Sequence, residues 1–589
     1  MLARSSARNR SVRYIIQMSN FDRGTIHTNN FTRKLAAFIL AAVAAAGTAF
    51  AQAPSVAAGG IVNHFSYATP GLPNADIAQG SIFDIYGTNI GPATLTTLTG
   101  FPIPTIIANT SVQVTSGGTT VDVYLFFVSS IQIVGVLPSR TPIGTGTLTV
   151  TVNGQTSAPA PIRVVARSIG ILSLNQAGHG PAAMQMPDGL GGVPLNSTSA
   201  TIKPLGVGVF YGTGGGAVTF DETVGAPVGD LGPEIQALVG GKEARLLYKG
   251  RGPGYVGLDQ FNVEIPADVS GCYVPVAFRT GNVISNYTTI SVAASGACAD
   301  PKQPPDLTGI DSVGGVVLTR GNSKLTFQGQ TFDSTIDSFA GAFTVTDFSK
   351  ITPGIDNISY TIGACTVTPH KQPENPNPPD NSDAITFLDA GPVLNLTGPN
   401  GPKPIERLNT AGVIGYSEQL GGGIAFPPPA PQPEPLYLSP GTYTINNGAG
   451  GPQGGVGPFQ ASLTIPAEFV WTNQDITSVE RAQGVEVRWT GADPNLIVNI
   501  SGSSTAPESA TQPENAGYSF SCNAPANAGR FTVPAEVLLL LPPSTLVDGV
   551  PTAFLSVTTL GTPVRFNPTG LDYAEFSFAV SISRNVQYK

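Results

Sequence analysis

The chain is poor in charged residues and in histidine, and this scarcity limits the chemistry open to it. Asp, Glu, Lys and Arg make up only 11% of its 589 residues, and there are four histidines. Three of these lie beyond residue 51, at His64, His179 and His370, and the sequence has neither the paired-cysteine nor the paired-histidine spacing of a zinc finger. The sequence therefore predicts no metal site and no cofactor.

Of two motifs that would indicate an enzyme, one is absent and the other lacks the helix that it needs. The nucleophile elbow G-x-S-x-G does not occur, and the nearest string, IDSVG around Ser312, has Ile310 in place of the first glycine. The glycine-rich strings GPGYVG (252–257) and GTGGGA (212–217) imitate nucleotide-binding loops. Such a loop holds a pyrophosphate only when a helix begins directly after it, and here strand-like or loop-like sequence follows. No catalytic residue is predicted.

The longest apolar run lies in the first 51 residues and is too short for a membrane span. Arg33 and Lys34 precede the run from 35 to 46, and an Ala-x-Ala site follows at 49–51. This arrangement is typical of a secretory signal peptide, whereas a membrane helix needs about 20 apolar residues. We interpret residues 1–51 as a signal peptide, with Met18 as an alternative start. We expect a secreted, extracellular or periplasmic protein that is not an integral membrane protein.

Positive charge is scarce in the remainder of the chain. Residues 1–51 hold seven of the 29 Lys and Arg and one of the 38 Asp and Glu, so their removal changes the net charge from −9 to −15. Nucleic acids and anionic membranes bind basic patches on proteins. The charge balance therefore argues against a nucleic-acid partner.

Cysteine is also rare, with four residues at Cys272, Cys298, Cys365 and Cys522. An even number in an exported chain favours disulfides over free thiols. Three pairings are possible. The pairing Cys272–Cys298 with Cys365–Cys522 keeps each bond inside one predicted domain, but the sequence does not select it.

Glycine and proline are abundant, at 70 and 52 residues. They close short runs rich in Val, Thr, Ile, Tyr and Phe, which is the composition of strands and turns. The sequence therefore predicts an all-β protein of several domains.

The chain contains an internal sequence repeat. SIFDIYGTNIG (81–91) and GVGVFYGTGGG (206–216) share Y-G-T-x-x-G after an alternating apolar run. Downstream, Gln132 corresponds to Gln260, at an offset that drifts only from 125 to 128 residues. Each copy has six or seven short strands, which indicates a β-sandwich of about 100 residues. We interpret the repeated glycines as a corner that needs positive φ.

The repeated segments resemble a known family. GSIFDIYGTNIG, GVFYGTGGG and VGGKEARLLYKGRGPGYVGLDQFNVEIP are similar to the uncharacterised C-terminal domain of secreted proteins from Solibacter and other acidobacteria. The resemblance covers about residues 60–295, and the second copy is the closer one. It implies two tandem immunoglobulin-like (IPT/TIG-like) sandwiches and export, but no activity.

The predicted organisation has five parts. Residues 54–166 and 167–297 are the two immunoglobulin-like sandwiches, and 298–306 is a Pro-rich linker. Residues 307–589 form a further β-sandwich region that contains two Pro-rich loops, at 370–383 and 426–435. In this region Trp471 is the candidate for stacking on a ligand, since its place beside a strand end suits core packing less well than that of Trp489.

The sequence predicts a non-catalytic extracellular or envelope scaffold or binding protein, with a cell-surface glycan or an envelope protein as the expected partner. One alternative is a carbohydrate-active enzyme or glycan-binding protein with its site in residues 307–589. Another is a structural surface-layer or adhesin-like stalk. A sandwich fold by itself does not choose among these functions.

Overall fold

The computed structural model describes residues 53–187, 191–298, 311–327, 330–346, 363–370, 385–410, 412–424, 433–466, 468–494, 496–507 and 516–589. The predicted signal peptide and linker, and most of the two Pro-rich loops, lie outside these residues. Strands account for 54% of the described residues and helices for 2%. The prediction of an all-β fold built from successive sandwiches is confirmed.

The first sandwich consists of two sheets with strand orders β1-β3-β9-β8-β4 and β2-β12-β10-β6-β5, the second of which also carries β7 and β11. Its buried side chains alternate along the strands, as in β6, where the burial pattern has a period of two. The strands are β1 (Ser55–Asn63), β2 (Ile77–Ala78), β3 (Ile82–Thr88), β4 (Thr96–Thr97), β5 (Ile106–Ile107), β6 (Thr110–Ser116), β7 (Thr119–Asp122), β8 (Tyr124–Val128), β9 (Gln132–Val136), β10 (Gly144–Val152), β11 (Gln155–Thr156) and β12 (Ala160–Val165).

The second sandwich is one rolled sheet of eight strands, in which the long strand β16 pairs with β15 at one end and with β17 at the other. A bulge between Leu246 and Tyr248 interrupts the pairing of β16 with β17. The strands are β13 (Gly170–Ile171), β14 (Val207–Thr213), β15 (Ile235–Val239), β16 (Lys242–Arg251), β17 (Asp259–Glu264), β18 (Gly271–Thr280), β19 (Val283–Ile284) and β20 (Thr288–Val292).

The repeat in the sequence is also a repeat in strand pairing. Tyr86 on β3 lies opposite Gln132 on β9, and Tyr211 on β14 lies opposite Gln260 on β17. The two copies therefore place the same residue pair at the same point of the sheet.

The role predicted for the repeated glycines is only partly correct. Gly216, the last glycine of the repeated motif in the second copy, has φ of +119°, as a corner requires. Gly87 in the first copy lies within β3 without positive φ, and a Cβ there would collide with the carbonyl oxygen of Ser55. The first copy therefore needs glycine for close contact between strands.

The C-terminal unit is built on a 15-stranded sheet, whose main path is β23-β34-β33-β38-β40-β21-β22-β27-β26-β25-β28-β29. Most pairs are antiparallel, but β21 and β40 run parallel over twelve residue pairs. The strands are β21 (Ser312–Phe327), β22 (Gln330–Thr346), β23 (Ala364–His370), β24 (Ile385–Phe387), β25 (Val393–Gly398), β26 (Gly401–Thr410), β27 (Val413–Ile424), β28 (Gly441–Asn446), β29 (Gln460–Ile465), β30 (Val470–Trp471), β31 (Ser478–Val479), β32 (Val485–Thr490), β33 (Ile497–Thr505), β34 (Gly517–Pro525), β35 (Arg530–Val533), β36 (Leu546–Val547), β37 (Val550–Pro551), β38 (Ala553–Leu560), β39 (Val564–Arg565) and β40 (Tyr573–Tyr588).

Helices are marginal in this unit. The described residues form two 3₁₀ turns, Arg481–Gln483 and Ala526–Ala528, and one α-helical turn, Ala535–Leu538. That turn buries Val537 and Leu538, so the string VLLLLPP enters the core as a short helical segment and not as the strand that its β-rich surroundings suggest.

Candidate binding face

Both disulfides lie within single units. Cys272 on β18 is bonded to Cys298, 26 residues later, and Cys365 is bonded to Cys522, 157 residues later. The second bond joins directly opposed residues of β23 and β34. It therefore fixes strand β23 at the edge of the large sheet, far in sequence from its neighbour.

The structure corrects the expectation for Trp471. Its side chain is 0% exposed, and its indole nitrogen donates to Oδ1 of Asn473 over 2.9 Å. Trp471 lies opposite Trp489 in the small sheet β30-β32-β35, which covers the core. Because its ring is buried on every side, Trp471 cannot stack on a ligand.

The string GPGYVG lies between the two partners of a buried ion pair at the junction of the two sandwiches. Arg251, 3% exposed, pairs with the fully buried Asp259. The Nη2 group of Arg251 also donates to the carbonyl oxygens of Gly80, in the first sandwich, and Gly216, over 2.7 and 2.8 Å. The guanidinium group of Arg251, held in place by Asp259, thus links the two sandwiches.

A second link at this junction uses the threonine of the repeated motif. The hydroxyl of Thr213 accepts from the backbone N–H of Ile82, over 2.8 Å, and donates to the carbonyl oxygen of Gly257, over 2.7 Å. The string that imitates a nucleotide loop is therefore part of an interdomain joint, which sequence reasoning missed.

An imidazole and a carboxylate meet in the first sandwich. Nδ1 of His64 lies 3.0 Å from Oδ2 of the fully buried Asp84, which also accepts from Nε2 of Gln132 over 3.1 Å. Burial, followed by the nearby Asp84 charge, raises the pKa of the Tyr67 hydroxyl. The pair links the end of β1 to β3, and the neighbouring Tyr67 phenol stays protonated because its pKa is raised.

The outer face of the C-terminal sheet carries an uncharged polar band. On β40 the even-numbered side chains from Ala574 to Tyr588 are buried, all of them in the apolar core except Arg584, so the odd-numbered ones point outward. Strand register then defines a row of seven outward hydroxyl residues on seven adjacent strands. We call this row the hydroxyl row: Thr366, Ser521, Ser501, Ser556, Ser583, Ser323 and Ser334.

A second row runs beside the first. It consists of Asn523, Asn499, Thr558, Ser581 and Gly321, each opposite the next. With neighbouring strands about 4.8 Å apart, the seven residues of the hydroxyl row span roughly 29 Å. The two rows contain no charged residue and no large apolar one.

Hydrogen bonds link the two rows into one network. The hydroxyl of Ser583 donates to that of Ser556 over 2.8 Å, and the hydroxyl of Thr558 donates to that of Ser581 over 3.0 Å. Nδ2 of Asn499 donates to Oγ of Ser521 over 2.7 Å. A hydroxyl has one donor and two acceptor sites, so the half-buried and exposed members keep capacity for a ligand, whereas Thr366 and Ser556 are at most 6% exposed and help to hold the network together.

One exposed aromatic ring stands at the margin of these rows. Phe554, on β38, is 41% exposed and lies opposite Ser503 on one side and Asn585 on the other. An apolar ring beside amide and hydroxyl groups gives the face a contact for C–H surfaces as well as for hydroxyls.

A shallow apolar trough of about 500 Å³ lies further along the same outer face, on strands β21, β22, β27 and β40. Gly315, Ala340, Ala342 and Gly415 form its floor, and Leu408 is among the residues that line it. A Cβ placed on Gly315 would meet nothing within 4 Å, so the trough exists because small residues face outward on adjacent strands.

The sequence carried a signal for this face that our sequence analysis did not use. In GYSFSCNAP and YAEFSFAVSISRNV every second residue is apolar except Arg584, and most of the intervening ones are Ser, Asn or Ala. Alternation of this kind predicts a half-buried strand with an uncharged outer side. The order of strands that aligns these residues could not be read from the sequence.

The described residues offer neither a metal-binding cluster nor a membrane-spanning helix. Their Asp, Glu, His and Cys side chains form no group of three or more that could hold a metal ion. No helix among the same residues has the length and apolar character needed to cross a membrane.

Neither a protein-family model nor a curated protein matches the chain. Several solved structures are weakly similar. Domains 5–6 of the surface-layer protein SbsC share 14% identity over 41% of this chain and 99% of their own, with a TM-score of 0.14.

Two further solved structures are similar to the chain at the same low level. The Bacteroides ovatus mixed-linkage glucan utilisation locus protein SGBP-B, in complex with a mixed-linkage heptasaccharide, shares 9% identity over 82% of this chain and 97% of its own, with a TM-score of 0.13. The FN1–FN3 domains of chicken CNTN1 share 8% over 68% and 98%, with a TM-score of 0.14. At such TM-scores these likenesses carry no functional argument, so the proposals below rest on contacts within this chain.

Proposed function

We propose that the protein is an exported, non-catalytic binding protein that holds a neutral glycan on the outer face of its C-terminal sheet. The observation that carries this proposal is the hydroxyl row, an uncharged band that crosses seven adjacent strands. The trough and Phe554 extend the face beyond the band.

The charge of the face favours a neutral ligand. The two rows carry no charged residue, Glu575 lines the trough, and the whole chain carries a net charge of −9. An anionic polymer would be repelled by this field, and a cationic one would find no carboxylate in the rows. An uncharged polymer meets neither obstacle.

The chemistry of the side chains favours a sugar among neutral polymers. Hydroxyl and amide groups donate and accept hydrogen bonds, as do the hydroxyls of a sugar. The C–H face of a pyranose ring packs on an aromatic ring such as Phe554. A band of roughly 29 Å suits an extended chain of several sugars better than a single one.

Export is supported by the cysteines. Both disulfides are formed, and disulfides persist in oxidising compartments outside the cytosol. The predicted signal peptide points in the same direction. A surface or extracellular location would give the face access to polysaccharide.

The test uses the chain without residues 1–51 and measures retardation in gels that contain neutral or anionic polysaccharides. We expect retardation by at least one neutral glycan and none by anionic ones. Phe554→Ala should weaken that binding about tenfold, because loss of an aromatic contact at an interface commonly costs 1 kcal/mol or more.

The matched control is Leu195→Ala, which removes an exposed apolar side chain in the second sandwich. It should bind like the unmodified chain. Retardation by anionic polysaccharides alone, or equal binding by the Phe554→Ala protein and the unmodified protein, would refute the proposed face.

A further inference from the structure

The core of the C-terminal unit includes side chains from both preceding sandwiches. Three residues of the first sandwich, Ala68, Leu72 and Ala75, are at most 6% exposed and belong to this core. The second sandwich contributes Ala277, Ile284 and Tyr287, which are at most 8% exposed. An apolar cluster of this kind normally marks one contiguous core.

The contribution from the first sandwich is a single segment between β1 and β3, residues 64–78, which we call the bridging segment. Asn74 lies near its centre and is 1% exposed. Its backbone carbonyl accepts from the hydroxyl of Ser168 over 3.0 Å, and its Oδ1 accepts from the hydroxyl of Tyr518 over 3.0 Å. One residue of this segment is thus bonded to the chain on both sides of the predicted linker.

The base of the bridging segment is held by another asparagine. Oδ1 of Asn63 accepts from the backbone N–H groups of Phe65 and Ser66 over 3.0 and 3.1 Å, and its Nδ2 donates to the carbonyl oxygen of Ser168 over 3.2 Å. Asn63 is itself 1% exposed. The segment therefore has a defined shape before it reaches the C-terminal unit.

The second sandwich approaches the same end of that unit. Strand β18 contacts β23, the edge strand that the Cys365–Cys522 bond attaches to β34. Tyr287 lies close enough to Glu536, on the helical turn, for the carboxylate to raise the pKa of the phenol in addition to the larger effect of burial. Both sandwiches therefore close one end of the C-terminal core.

We propose that the two parts of the chain on either side of residues 299–310 form one noncovalent complex within the molecule, so that all three units fold and move as a single body. The C-terminal core is complete only when the bridging segment and β18 cover it. Exposed alone, this apolar surface would be an association or aggregation site. The inference does not depend on the ligand of the outer face.

The disulfides permit a direct test of this proposal. Cys272 and Cys298 both precede residues 299–310, and Cys365 and Cys522 both follow them. Cutting the chain in this interval therefore leaves two fragments with no covalent connection. Any association that survives the cut comes from the interface described above.

The experiment inserts a protease site with Gly-Ser spacers between Pro304 and Pro305 of the chain without residues 1–51. After complete cleavage, shown on a denaturing gel, the sample is passed over a size-exclusion column under native conditions. We expect the two fragments to elute together at the volume of the uncut protein. Elution as two separate species would overturn the proposal.

A substitution shows that co-elution depends on the proposed contact. Leu72→Asp places a charge in the shared core, and after the cut we expect its fragments to elute separately. The control, Leu195→Asp, changes an exposed leucine of the second sandwich and should leave co-elution unchanged. Co-elution of the Leu72→Asp fragments would place the association elsewhere and overturn the proposal. If the Leu72→Asp protein does not fold, the elution of the two fragments of the unmodified chain after cleavage still tests the proposal.

Discussion

The hydroxyl of Tyr518 donates a hydrogen bond of 3.0 Å to Oδ1 of Asn74, although 444 residues separate them. Both residues are at most 2% exposed. Burial raises the pKa of the Tyr518 phenol, while the bond to Asn74 lowers it by less, so the group stays protonated and can donate. This bond connects the first sandwich with the C-terminal unit.

The first prediction concerns this bond. Tyr518→Phe leaves the buried Oδ1 of Asn74 without its donor and should lower the free energy of unfolding by about 1–3 kcal/mol. Urea unfolding of Tyr518→Phe, Asn74→Ala and the double variant gives the coupling energy between the two side chains. Strictly additive effects would show that the bond contributes nothing to stability.

The second prediction concerns the buried ion pair at the joint between the sandwiches. Arg251→Met leaves Asp259 buried without its cation and should destabilise the protein by about 3–5 kcal/mol. The matched control is Arg245→Met, which removes an exposed partner of Glu264 and should cost at most about 1 kcal/mol. Similar costs in the two variants, from urea unfolding, would contradict the role given to Arg251.

The third prediction compares two glycines without positive φ. A Cβ on Gly170 would collide with Oδ1 of Asn63, the side chain that shapes the bridging segment, whereas a Cβ on Gly315 would meet nothing within 4 Å. Gly170→Ala should therefore destabilise the protein by about 1–3 kcal/mol, as expected for overpacking. Gly315→Ala should change stability by no more than about 0.5 kcal/mol. Equal melting temperatures for the two variants would refute the contact.

The fourth prediction concerns pH. The hydroxyl and N–H of Ser312, in that order of effect, lower the pKa of the Asp572 carboxyl, which joins the start of β21 to the start of β40. A carboxyl with a lowered pKa in the folded state stabilises the protein above its unfolded pKa, and this contribution is lost as the pH falls through the folded value. Thermal unfolding of Asp572→Asn should show a lower melting temperature than the unmodified chain at neutral pH and no difference at strongly acid pH. A difference independent of pH would exclude this linkage.

Much of the fold could be predicted because it depends on local patterns. Alternation of apolar residues identified strands, and the correspondence of Gln132 with Gln260 reappears as equivalent pairing in the two sandwiches. Trp471 was assigned wrongly because a strand end in sequence says nothing about the second layer that covers it.

The joints could not be predicted for a related reason. Arg251 meets Gly80, and Tyr518 meets Asn74, only after the sandwiches have packed, and neither pair leaves a periodic trace in the sequence. The outer face could be predicted only in part. Its Ser and Asn alternation is visible along each strand, but the hydroxyl row exists only because non-consecutive strands such as β38 and β40 become neighbours.

The central claim, that the outer face of the large sheet is the binding surface, is tested most directly by placing one charge in the hydroxyl row. Ser501 lies third in that row, between Ser521 and Ser556, and Ser501→Lys should abolish retention on the neutral polysaccharide that binds the unmodified chain while leaving the melting temperature within a few degrees. Thr147→Lys, an exposed position on β10 of the first sandwich, should bind normally. Undiminished binding by a folded Ser501→Lys protein would contradict the claim.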